Sequence, residues 1–132
     1  MAMVKMKGFT LAELLIVIVI LGILGGIALP RFYPQKEKAL TAEAIVMLSA
    51  IRQGELAFQL ENDGYKSLSS GDDWSVIGVE SPSTDNPYFR YSTNADAATA
   101  ERTGRGSPSV SGNITLSWNG TWSGDNPNKP SN

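Results

Sequence analysis

Glu13 is the one charged side chain in Phe9–Leu29, a run of twenty-one residues otherwise dominated by Leu, Ile and Val. Upstream lies a short basic octapeptide, Met1-Ala-Met-Val-Lys-Met-Lys-Gly8. At about 1.5 Å per residue the run predicts a helix of roughly 32 Å, enough to cross a bilayer core. An ionised acid inside that core is costly unless something pairs with it. In the plainest reading Glu13 is a carboxylate near a helix start, favoured by the macrodipole and reaching toward head groups. The sharper reading gives it a specific cationic partner.

Composition narrows the chemistry. The 132 residues leave room for one small folded unit beside the apolar segment. Lys and Arg total 11 against 13 Asp and Glu, a net charge of −2, and removing residues 1–8 with Lys5 and Lys7 would leave −4. Phosphate binding needs clustered basic groups. The arginines, Arg31, Arg52, Arg90, Arg102 and Arg105, are scattered, so no nucleic-acid partner is expected. Without cysteine there is no disulfide, thiolate catalysis or sulfur-ligated metal. Histidine, the usual base and ligand near neutral pH, is also missing. The expectation is a protein that is not an enzyme, with no catalytic residues, no cofactor and no metal.

The elements that must position Glu13 follow from patterning. A secretory signal has a shorter apolar region and a small-residue cleavage site before a polar mature start; Gly25-Gly26-Ile27-Ala28 lacks that sequel. Lys5 and Lys7 put the N-terminus in the cytoplasm by the positive-inside rule, although Arg31, Lys36 and Lys38 weaken the asymmetry. Beyond Pro30, residues Leu40, Ala44, Met47, Leu48, Ile51 and Phe58 recur at steps of three, four or seven and form one apolar stripe. Glu55 and Glu61 read as helix-surface acids. One helix from about Phe9 to Glu61 is expected, stopped by Asn62-Asp63-Gly64 with Gly64 in the left-handed cap. It should bend or locally unwind near Gly22–Pro34, where Gly22, Gly25, Gly26, Pro30 and Pro34 weaken it.

Residues 65–82 read as a loop with a short turn or helix around Trp74–Val79. Three strands are expected at Tyr88–Thr93, Ala97–Thr103 and Asn113–Trp118, the last with Ile114, Leu116 and Trp118 on one face. Asn119-Gly120 predicts a type I′ hairpin with a returning strand at Thr121-Trp122. The tail from about residue 124 is turn-rich and expected to fray. The fold class is α+β, with a long helix packed on a small antiparallel sheet of three to four strands. Its expected divisions are 1–8, 9–30 and 31–132.

Gly8-Phe-Thr-Leu-Ala-Glu13, with the basic leader, the apolar helix and Pro30, closely resembles the N-terminus of type IV pilins and pseudopilins. The motif covers about a quarter of the chain, and the remainder resembles the family's head domain less specifically. The resemblance implies a class III leader and an inner-membrane precursor, cut between Gly8 and Phe9 by a prepilin peptidase. Phe9 would be N-methylated and the subunit drawn from the bilayer by an assembly platform. It would then join copies of itself in an extracellular or periplasmic helical filament. Cleavage would create an ammonium at Phe9, in the same apolar layer as Glu13. Glu13 lies about 6 Å along its own helix from Phe9, so an axially offset neighbour could bring its amine level and set the register. The resemblance gives that assembly role to Glu13 and Thr10, and local melting inside the filament to Gly22, Gly25, Gly26 and Pro30.

Weaker patterns carry less. Asn113-Ile-Thr115 and Asn119-Gly-Thr121 match a glycosylation sequon that arises often by chance. Asp72-Asp73, with Asp63 or Asp125-Asn126 nearby, could offer oxygen ligands for calcium, but the spacing matches no loop motif. The leading function is a structural pilin. The alternatives are a major pseudopilin of a type II secretion or DNA-uptake system, and a monomeric membrane-anchored binding domain. Such an anchor has no need of Glu13 or of a leader ending in glycine.

Overall fold

The computed structural model describes residues 3, 7–85, 87–106 and 112–132, with the backbone alone at 29–33. Lys5 and the side chains of Pro30, Arg31, Phe32 and Tyr33 therefore lie outside the described residues. One helix, α1, spans Leu11–Asn62. Two compact units follow by contact density, Met1–Glu37 and Lys38–Asn132.

In the first unit, Leu11–Ala28 is long and apolar enough to cross a membrane. None of that stretch is buried within the chain. Its many β-branched residues are indifferent helix formers in water. In hydrocarbon, where backbone groups must bond internally, helix is the only conformation open to a single span. The helical backbone runs through Gly22–Pro34 without a break, the continuous helix expected of an isolated subunit. Each proline removes one donor, and the hydrogen bonds on either side carry the helix past it.

The second unit packs the later part of α1 on a four-stranded antiparallel meander in the order β1-β2-β3-β4. The strands are β1 (Phe89–Thr93), β2 (Ala97–Arg102), β3 (Asn113–Ser117) and β4 (Trp122–Ser123). Tyr91 pairs with Ala100, Ala100 with Ile114, and Leu116 with Trp122. Ala44, Leu48 and Ile51 share a buried cluster with Trp74, Phe89, Ala98, Ala100, Ile114, Leu116 and Trp118. Small Ala98 and Ala100 in β2 suit a sheet that a helix must approach closely.

Two turns differ from expectation in detail. The residue at positive φ after α1 is Asp63 (φ 58), not Gly64, and its N–H bonds Gln59 O at 2.9 Å. That is the 5→1 αL cap one position early, a conformation aspartate tolerates. The β3–β4 connection is not type I′, because Asn119 is not at positive φ. Gly120 donates to Ser117 O at 2.9 Å and sits at φ 93, while Ser117 donates to Thr121 O at 3.0 Å. This is the pattern of a three-residue loop with glycine in the left-handed position. The expected short helix is a 3-10 turn at Trp74–Ile77, capped by Asp73 and closed by Gly78.

Candidate functional site

The N-terminal motif forms a reciprocal cap. The Glu13 carboxylate accepts the Thr10 N–H at 2.8 Å through Oε2. The Thr10 hydroxyl accepts the Glu13 N–H at 3.2 Å and donates back to the same carboxylate oxygen at 3.2 Å. Threonine at the cap with glutamate three residues on is a capping box, which satisfies two orphan donors at a helix start. The acid also lies at the positive end of the helix dipole. Sequence reasoning paired Thr10 and Glu13 by role and missed this contact, although the Thr-x-x-Glu spacing carries it.

Both residues of the Gly8–Phe9 junction, where cleavage is expected, are open. Phe9 is 88% exposed, and a Cβ added at Gly8 would meet nothing within 4 Å. Beyond the cap the apolar side chains of Leu11–Ala28 are exposed around the whole helix. Gly22, Gly25 and Gly26 likewise have open space where a Cβ would stand, so no packing within this chain requires glycine there.

The carboxylates raised as calcium ligands are engaged separately. Asp72 accepts the Ser69 N–H at 2.7 Å, Asp73 the Ser75 N–H at 3.0 Å and Asp125 the Asn113 N–H at 2.7 Å. The Ser75 hydroxyl and amide hold the Asp73 carboxyl below its ordinary value. Among the described residues no group of three acids or other ligands is placed to hold a metal ion.

One residue was misread. Glu55 is not a surface acid: it is fully buried and accepts the Lys66 N–H at 2.9 Å. It continues the Ala44–Leu48–Ile51 stripe by one turn, so its position on the helix was the available signal. Arg102 is also buried, donating to Tyr88 O at 3.1 Å and to Arg105 O at 2.7 Å.

The N-terminal region is thus a transmembrane-type helix opened by a Thr–Glu cap beside an exposed glycine–phenylalanine junction. Residues 3–29 match the family described as the prokaryotic N-terminal methylation motif. Type II secretion system core protein G of Escherichia coli is 34% identical over 67 residues, 51% of this chain and 46% of that protein. Its counterpart in Aeromonas hydrophila is 36% identical over 67 residues, 51% and 47% of the two chains. Type IV major pilin protein PilA of Myxococcus xanthus is 38% identical over 64 residues, 48% of this chain and 29% of that one. The match thus spans slightly under half the length of the secretion relatives and less of the pilin. Over about half of its length the chain is similar to type II secretion system core protein G and to type IV major pilins, and the family-model match lies at residues 3–29.

Proposed function

We propose that this chain is a structural subunit that polymerises into a pilus-like helical filament after its leader is cut between Gly8 and Phe9. The observation that carries the reading is an apolar helix, Leu11–Ala28, with no burial inside its own chain and a carboxylate at its start. Such a surface needs lipid or other helices around it. Before assembly the bilayer supplies that cover, with the N-terminus cytoplasmic. Afterwards neighbouring copies supply it, with the head units outward. The work is structural, and the chain is itself the substrate of a prepilin peptidase.

In this reading the cut releases the Phe9 ammonium, which is then methylated. The Glu13 carboxylate exchanges its cap for the Phe9 amine of a neighbouring subunit, and Thr10 lies beside the exchange. Gly22, Gly25, Gly26 and Pro30 form the stretch that gives up helicity in the filament. Relatives of both kinds support a pilin or a major pseudopilin equally.

The test is the mature N-terminus and the fibre together. Mass spectrometry should find a methylated Phe9 and no Met1. Glu13→Ala should still be cleaved but yield few filaments; an intact Met1, or normal fibres from that variant, refutes the reading. Surface fibres under electron microscopy identify a pilin, and fibres confined to the periplasm a pseudopilin.

A further inference from the structure

Glu55 sits where three segments meet. Its Oε2 accepts the Lys66 N–H at 2.9 Å. Its Oε1 is buried with no hydrogen-bond partner among the described residues. Thr93, from β1, locks the same segment: its hydroxyl donates to Lys66 O at 2.6 Å and accepts the Leu68 N–H at 2.9 Å. The Thr93 N–H donates to Leu68 O at 2.8 Å. Helix α1, residues 65–69 and β1 are thus joined around one half-satisfied carboxyl group.

An ionised carboxylate without water or a full set of donors is poorly accommodated. The charged groups bearing on it are few. Lys66 lies on the segment itself, exposed to solvent. Arg52, one turn earlier on α1, commits its Nε to Trp118 O at 3.0 Å. Tyr65 stacks on Trp118, with ring centroids 5.1 Å apart. From β1 the neighbouring group is the uncharged Thr93. Burial pushes the Glu55 carboxyl above its ordinary value, against the opposing pull of the Lys66 amide, the Thr93 hydroxyl and the Lys66 charge.

We propose that Glu55 is a proton-operated latch on residues 65–69. With a solvent proton bound at Oε1, the neutral carboxyl still accepts the Lys66 N–H through Oε2. Its new O–H is a donor within a cluster whose acceptors, Thr93 Oγ1 and Lys66 O, belong to the segment's own anchor. When the proton leaves, an unpaired charge stays in the core until the segment opens and lets water reach it. The order of the connection between α1 and the sheet therefore follows ambient pH. This is independent of whether the chain polymerises.

The test uses the full chain in detergent micelles. Hydrogen exchange, corrected for the intrinsic effect of pH, should show protection of the Lys66 and Leu68 amides falling as pH rises. The loss should fall between the ordinary glutamate value of 4.5 and the raised Glu55 midpoint, at up to about tenfold per pH unit since a single proton is linked to opening, and level off above that midpoint. Amides at the β2–β3 pairing should hold. Glu55→Gln should flatten the response of residues 65–69. Equal protection in the wild type at about pH 5 and about pH 8 overturns the latch, as does an unaltered pH response in Glu55→Gln. Should that variant fail to fold, carbon-13 titration of the wild-type Glu55 carboxyl decides. A midpoint above 4.5, with Lys66 and Leu68 shifts moving in step, supports the latch. A midpoint at or below that value overturns it.

Discussion

The Glu13 carboxylate holds the backbone N–H of Thr10 at 2.8 Å while the Thr10 hydroxyl holds the N–H of Glu13 at 3.2 Å. The acid proposed to wait for another subunit's amine is therefore not idle in the uncut chain. Its cap satisfies donors that would otherwise be unpaired at the start of a membrane-type helix. Exchange of one partner for the other needs the amine to offer more than a neutral backbone N–H, and a charged donor does so roughly twofold.

Glutamine separates the two roles. A capping box accepts Gln at this position almost as well as Glu, but Gln has no charge to meet an ammonium. Glu13→Gln should keep the helix start and leader cleavage while filament yield drops as far as in Glu13→Ala. Immunoblots for processing and quantitation of sheared fibres read the two effects separately. Fibre yield near wild type in the glutamine variant would mean that capping, not charge, is what assembly uses.

The glycines of α1 divide into two kinds. Gly22, Gly25 and Gly26 face open space, and alanine at each should favour helix by about 1 kcal/mol. The triple Gly22→Ala, Gly25→Ala, Gly26→Ala chain should still insert and be cut. Its filaments should resist extension under force more than wild-type ones, because local melting is made costlier. Single-filament stretching checks this.

Gly54 is of the other kind. A Cβ there would collide with the carbonyl oxygen of Ile77 and press on Val79. The 3-10 turn Trp74–Ile77, whose Trp74 and Ile77 are buried, rests on α1 at this point. Backbone cannot give way as a flexible side chain does, so Gly54→Ala should destabilise the head unit by about 2–3 kcal/mol. Thermal unfolding followed by Trp fluorescence would show it, against an unaffected Gly64→Ala control, since Gly64 has open space.

Much of this was legible in the residues, and the misses share a cause. Alternation gave the buried face of β3, and the apolar stripe gave the buried side of α1. The seven-residue step from Ile51 to Phe58 passed over Glu55, because an acid on an apolar stripe is read as an interruption. Only the chain that returns over it, with Lys66 offering an N–H, explains why burial is tolerated. Turn types were less legible. Asn62-Asp63-Gly64 and Asn119-Gly120 announce turns, but where the helix ends in the first and the register of β3 with β4 in the second decide which residue takes positive φ. At the N-terminus, Thr10 and Glu13 were expected together for their place in assembly, whereas the contact the structure shows between them is a local cap.

Tyr91 gives a pH test of the helix–sheet face. Its phenol is pushed up to about 12, by burial first and the Glu43 carboxylate second. A raised value means the fold favours the neutral phenol. Stability from this group is intact below the free-tyrosine value of about 10 and is lost as pH rises toward 12. Glu43→Gln should lower the Tyr91 midpoint, seen in the carbon-13 shift of its Cζ, without bringing it to the free value. No movement in that variant would leave burial as the whole cause.

Asn132 links the tail to the sheet. Its side-chain oxygen accepts the Trp122 N–H at 2.6 Å and its amide nitrogen donates to Trp122 O at 3.1 Å. Both backbone groups of one β4 residue are thus paired as a further strand would pair them, at an edge only two residues long. Asn126, buried to 2% exposure, donates its N–H to Asn113 O at 3.1 Å and fixes the chain between. Composition suggests a frayed end; the hydrogen bonds instead describe an edge strand closed by its own downstream segment. Each exposed bond is worth about 0.5–1.5 kcal/mol net, so Asn132→Ala should cost about 1–2 kcal/mol and raise exchange at the Trp122 amide. The Ile114 amide, on the inner strand β3, should be unchanged, and equal loosening at both would mean that Asn132 supports the whole sheet.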